Sequence, residues 1–122
     1  MIKNFVKVFV LAALLVTAAQ SSAGAEEWQN IRINNNSGIT ITEVYFQPAT
    51  ADNWGNNYLA GTMPDGYGLD LSYVPGFNYD FKFVFEDGSE AEWSGDNNFY
   101  LNGQTQVSVY VNSSGYYEMS IE

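Results

Sequence analysis

The chain predicts an all-β fold: a single small antiparallel β-sandwich of about seven strands, Ig-like in general architecture, with a small β-barrel as the alternative. Three observations carry this. Past residue 26 no stretch keeps a helical apolar period. Apolar residues alternate with polar ones instead, in short runs. Clusters of Gly, Asn, Asp and Ser separate the runs, the spacing expected of two packed sheets.

The elements follow in order. WQNIRI (28–33) is a first strand, and NNNSG (34–38) turns it. ITITEVYF (39–46) is a second, in which Ile39 and Ile41 share one face before Val44 and Phe46 take over. A bulge near Thr42–Glu43 brings all four to the core. GLDLSYV (68–74) aligns Leu69, Leu71 and Tyr73, and PGFN (75–78) turns the chain. In YDFKFVFE (79–86), Tyr79, Phe81, Phe83 and Phe85 form one face, which must be covered. Asp87–Gly88 suits a type I′ turn, and EAEW (90–93) returns with Ala91 and Trp93 inward. TQVSVYV (105–111), NSSG (112–115) and YYEMSIE (116–122) make a second hairpin. Its expected inner residues are Val107, Val109, Val111, Tyr117, Met119 and Ile121.

Gln47 to Tyr67 is the one long connection, and loops beyond roughly 12–15 residues are often functional. Its centre reads DNWGNNYLAG (52–61). A Trp among turn residues either plugs the domain or meets a ligand. A small domain without disulfides favours the plug, with Trp54 and Leu59 folding back over an open end of the sandwich. Trp54, Tyr58 and Tyr67 are the ligand-binding candidates if it does not.

Residues 1–25 read as a secretory signal peptide: Lys3 and Lys7, an apolar run over 8–16, then Ala23 and Ala25 as an A-x-A site, with cleavage after Ala25. The apolar run falls short of a spanning helix, so no membrane insertion is expected after cleavage. The remaining domain, 26–122, holds only Arg32 and Lys82 against 14 acids, a net charge of −12. Such a surface repels nucleic acid and anionic lipid. The expected setting is periplasmic or extracellular, and the expected state a monomer.

Neither His nor Cys is present. Catalysis through Ser-His-Asp or Cys-His and metal binding through imidazole or thiolate are closed. No phosphate-binding glycine motif occurs in a strand-to-helix context. Glu86, Asp87, Glu90 and Glu92 lie close in sequence, but the turn explains Asp87 and alternation explains Glu90 and Glu92, so a glycosidase pair is not expected. The domain reads as non-catalytic, with no cofactor. Calcium remains open because it needs only oxygen ligands. Asp52, Asn53, Asn56 and Asn57 form one candidate cluster and Asp96, Asn97 and Asn98 another, with Asp52, Asn53, Asn56 and Asp96 as its ligands. Neither has the spacing of a 12-residue calcium loop.

Two segments, NNNSGITITEVYFQPATADNWGNNYLAG (34–61) and YDFKFVFEDGSEAEW (79–93), together resemble a family of small exported bacterial proteins. Its pattern is N-N-[ST]-G, I-x-E-V-Y, Pro and D-x-W-G-x-x-x-L, then an aromatic-Asp pair, D-G and Trp. Asn36, Gly38, Trp54, Gly55, Asp80, Asp87, Gly88 and Trp93 are the motif positions, and the resemblance implies structural roles for them. The family carries no established activity. Some members bear the label argininosuccinate lyase, which suits a large helical intracellular enzyme and not this chain. Relatives often have a Cys before the aromatic-Asp pair and another after the Trp strand; here PGFNYD and SGDNNFYL have none. The expectation is an envelope or extracellular interaction domain with an unspecified protein or glycan partner. A calcium- or carbohydrate-binding module using the 48–67 loop is the alternative.

Overall fold

The computed structural model describes residues 27–122, so the expected signal peptide and cleavage site lie outside the described residues. Eight strands follow in order: β1 (Gln29–Asn36), β2 (Ile41–Pro48), β3 (Gly68–Tyr73), β4 (Phe77–Phe85), β5 (Glu90–Trp93), β6 (Phe99–Leu101), β7 (Gln106–Val111) and β8 (Tyr117–Ile121). A 3₁₀ turn, Gly95–Asn97, separates β5 from β6. One sheet has the order β3-β1-β7-β8; the other has β2-β4-β5, with β6 also on β4. The chain crosses between sheets after β1, β2, β3 and β6, so each sheet is built from distant segments. The sheets stack as a sandwich and do not close into a barrel.

The expected inner faces form the core. Leu69, Leu71, Tyr73, Ile31, Ile33, Val107 and Val109 of one sheet meet Tyr79, Phe81, Phe83, Phe85, Ile41, Val44 and Phe46 of the other. The rings interlock: Phe46 stacks on Tyr79 at 4.9 Å, and Phe85 on Tyr117 at 4.1 Å. The bulge expected in β2 is present, with the register shifting between Ile41 and Glu43. It lets Ile41 and Val44 both point inward despite their odd spacing.

Several expectations are corrected. The pair β1–β7 is parallel, because β1 enters the sheet between two strands that run in opposite directions. β1 continues through Asn34–Asn36, which were expected to turn. β4 begins at Phe77, inside the expected PGFN turn. β6 has three residues, too few for alternation to register. Val111 is exposed, lying beyond the last β1 partner of β7. Asp87–Gly88 is not a type I′ turn, since among the described residues only glycines have positive φ. Gly88 takes φ 88° alone, and its N–H donates to the Phe85 carbonyl while Phe85 N–H donates to Ser89. This is the three-residue loop with glycine at the bulge. The Asp87 carboxylate accepts from the Ser89 amide at 2.9 Å. Asn112–Gly115 repeats the same hydrogen bonds.

Asn35 binds the distant segments together. Its inward side chain is fully buried at the end of β1. Its amide nitrogen donates to the carbonyls of Ile39 and Met63, both at 2.8 Å. Its amide oxygen accepts from the Ser37 amide at 3.0 Å and the Ser37 hydroxyl at 2.6 Å. Its main chain donates to Tyr67 and accepts from Gly66. All donor and acceptor positions of the side chain are used. The motif position expected next door, Asn36, is exposed and does none of this.

Asn35→Ala removes four side-chain hydrogen bonds at once and leaves the buried Ser37 amide without its acceptor, and is expected to cost about 3 kcal/mol. Urea unfolding should show a lower midpoint with an unchanged slope. Asn36→Ala should remain within about 0.5 kcal/mol of the wild type.

Candidate functional site

The connection over 49–67 runs along the free edge of β2. Tyr58 N–H donates to the Val44 carbonyl at 2.8 Å, and Ile41 and Met63 exchange both main-chain bonds at 2.9 and 2.8 Å. Asn57 places its side-chain oxygen on the Val44 and Leu59 amides at 2.9 and 3.0 Å. An edge strand with open donors invites pairing with another chain, and this segment covers it. Leu59 and Met63 enter the core, 6% and 0% exposed.

Trp54 does not follow them. It is half-buried and lies against Tyr45, ring centroids 6.2 Å apart at 54°. Tyr45 sits between Val44 and Phe46, which point inward, so its ring stands on the outer face of the sheet. The expected plug is therefore divided: Leu59 closes the core, and Trp54 rests outside. Gly55 takes φ 70° just after the Trp, with open space where a side chain would project. It is required there for its backbone conformation.

The outer face is a small polar grid around these two rings. Glu43, Tyr45 and Gln47 of β2 stand opposite Val84, Lys82 and Asp80 of β4. Glu92 and Glu90 of β5 stand opposite Lys82 and Val84. The Lys82 ammonium lies 5.6 Å from the Tyr45 ring centroid and 3.6 Å from Glu90. The Tyr45 hydroxyl donates to Glu43 at 2.5 Å. That bond, followed by burial and the nearby carboxylates, holds the Tyr45 phenol above its ordinary pKa. The face thus offers two aromatic rings, one ammonium and several carboxylates.

The other expected residues are dispersed. Tyr58 packs against the core, and burial raises its phenol pKa. Tyr67 is exposed in the connection just before β3, where its carbonyl accepts from the Asn35 amide. Trp54, Tyr58 and Tyr67 therefore do not make one platform: Trp54 lies on the outer face, Tyr58 packs against the core, and Tyr67 is exposed just before β3. The side chains expected to bind metal, those of Asp52, Asn53, Asn56 and Asp96, are all exposed. No three acidic residues gather as a metal site among the described residues. Gly38 takes φ 84° and its amide donates to Asp65 at 2.9 Å. Trp93 is half-buried, edge-on to Phe83 at 6.0 Å. Asp80 is buried, 7% exposed. Tyr45, Lys82 and Gln47 were absent from the candidates, although strand parity already placed them on one outer face beside the long loop.

No family model and no curated protein matches the chain. Among solved structures, the chain is similar to an NMR structure of a protein from Eubacterium rectale, at 15% identity and a TM-score of 0.56. The match covers 78% of this chain and 88% of that one. At that identity the likeness is one of fold.

Leu59→Ala empties a core position and is expected to cost about 2–4 kcal/mol. Trp54→Ala should cost about 1 kcal/mol or less, because the ring lies outside the core. Thermal melts of the two variants test the division. A second expectation concerns alkali. A folded-state pKa raised above the unfolded value contributes stability below pH about 10, lost as pH rises through the folded pKa. Glu43→Gln should bring the Tyr45 phenol back down, followed as the ring signal of Tyr45 in an NMR titration.

Proposed function

We propose that this is an exported, non-catalytic recognition domain that binds its partner on the outer face of the β2-β4-β5 sheet. The observation that carries the reading is the position of Trp54. A large aromatic held outside the core, against a second ring and beside an ammonium and carboxylates, is poorly explained by stability alone. It supplies flat apolar area, and its neighbours supply hydrogen-bonding groups. Recognition sites combine these in the same way: a few polar groups fix orientation around aromatic surface.

The ligand class follows from charge. An excess of acids disfavours anionic polymers. A neutral, polyhydroxylated surface suits the face best, since a sugar ring has an apolar side for Trp54 and Tyr45 and hydroxyls for Glu43 and Lys82. The signal-like first 25 residues and the resemblance to exported bacterial proteins support an envelope or extracellular setting.

The test uses neutral cell-wall oligosaccharides as the probe, with titration calorimetry as the readout for wild type and variant and tryptophan emission as a second readout for the wild type. Binding should change the emission of the wild type. Trp54→Ala should weaken binding by at least about tenfold with the fold retained by circular dichroism. Equal binding by wild type and Trp54→Ala, or capture of the probe by neither, removes this reading.

A further inference from the structure

The strand β8 ends its sheet. Among the described residues it pairs on one side only, with β7, in a register without a bulge. Gln106 and Glu122 exchange both main-chain bonds, and Asn112 N–H donates to the Tyr116 carbonyl at 2.8 Å. An antiparallel ladder alternates, so Glu118 and Ser120 direct their main-chain groups to β7 as well. The N–H and C=O groups of Tyr117, Met119 and Ile121 then point away from the sheet, in a row open to another strand. The β2 edge is covered by the 57–63 segment; no described segment does the same for β8.

The side chains of these three residues are also unfinished. They lean on the core but are only half-buried. At the other end of the same sheet, Leu69, Leu71 and Tyr73 of β3 are buried. Val111, the cross-strand neighbour of Tyr117, is 38% exposed. The inner face of the sheet is thus complete at β3 and open at β8.

Charge says what fits there. Residues 83–122 carry seven acids and no Lys or Arg. Glu118 is exposed in the middle of β8, and Glu122 follows the strand. Asn112 and Tyr110 donate to the Glu118 carboxylate at 3.0 and 2.7 Å, which lowers its pKa and keeps it charged. Asp87 reaches the same flank: it accepts from the Ser89 hydroxyl at 2.5 Å, and that hydroxyl lies 2.7 Å from the Tyr117 hydroxyl. A second copy would bring a like-charged edge to this one, and a basic strand brings the opposite charge.

We propose that β8 is a docking edge for an extended basic peptide segment in which apolar and basic residues alternate. Its main chain bonds Tyr117, Met119 and Ile121. Its apolar side chains stand opposite those three and cover them on the inner face. Its Lys or Arg side chains fall on the outer face, opposite Glu118 and Ser120 and beside Glu122. Main-chain bonds supply the affinity of such strand addition, and the alternate side chains supply the specificity.

This edge belongs to the sheet opposite the Trp54 face, so the proposal goes beyond the recognition reading and does not rest on it. The probe is a short capped peptide of alternating Lys and Val, followed by NMR titration and amide exchange. It should slow exchange at the Tyr117, Met119 and Ile121 amides at least about tenfold. The same peptide with its central Val replaced by Pro keeps the charge, loses the strand and should bind at least about tenfold more weakly. A Glu–Val peptide should not bind. Met119→Pro takes away an open N–H and no bond to β7, so it should fold and bind the Lys–Val peptide at least about tenfold more weakly. Trp54→Ala should bind it as the wild type does. No slowing at the three amides overturns the proposal, whether or not Met119→Pro folds. Equal binding of the Pro peptide, or equal binding by folded Met119→Pro, assigns the effect to the acidic surface and overturns it too. A dimer in sedimentation without peptide, lost in Met119→Pro, gives the edge to a second copy and overturns it as well.

Discussion

The structure depends on the hydrogen bonds of one buried amide, that of Asn35. The sandwich is assembled from segments far apart in sequence, and the chain crosses between sheets four times. Apolar burial draws those segments together, but burial has no direction and cannot set their register. Asn35 has direction. It fixes the turn leaving β1, the Met63 segment that covers β2, and the Gly66–Tyr67 approach to β3. A buried polar residue with every position satisfied specifies one arrangement of its neighbours. Without disulfides, this amide is a polar cross-link between β1 and the long connection.

From that anchor the outer face follows. Met63 is held at the top of β2, and Asn57 is held on Val44. The residues between Pro48 and Asn57 must then pass around the edge strand, and Trp54 falls on the outside of the sheet. The same path brings the Asn53 and Trp54 carbonyls within reach of the Gln47 amide.

The sequence showed the strands well because alternation is a strong signal where one face is buried on aromatic residues. Tyr79 to Phe85 is the clear case, and the bulge at Thr42 was legible because Ile41 and Val44 both had to point inward. Asn35 was not legible. In a run of three asparagines each suits a turn, and only the strand's continuation to Asn36 sends the middle one inward. The parallel pairing of β1 with β7 was hidden for a different reason: alternation shows a face, not a neighbour. Sequence rules favour Trp54 as a plug because burial is the usual fate of Trp. The sheet's parity already offered Tyr45 an outward place, but nothing local in the loop said which side the chain would take. The resemblance marks Asp80 as a motif position, but the alternation of β4 puts it on the outer face and so conceals its burial.

The parallel β1–β7 pair also governs the order of assembly. β1 lies inside its sheet, between β3 and β7, and Asn34 reaches Gln106 across 72 positions of chain at 2.8 Å. The first strand made thus waits for nearly the last. A chain delivered from its N-terminus holds Ile31 and Ile33 uncovered on one flank until residues beyond 106 arrive. Such long-range closure slows folding, toward roughly milliseconds to seconds for all-β domains. The two hairpins, β4–β5 and β7–β8, close locally and are ready early. The rate at which this protein becomes itself is then set by how soon its tail finds its head.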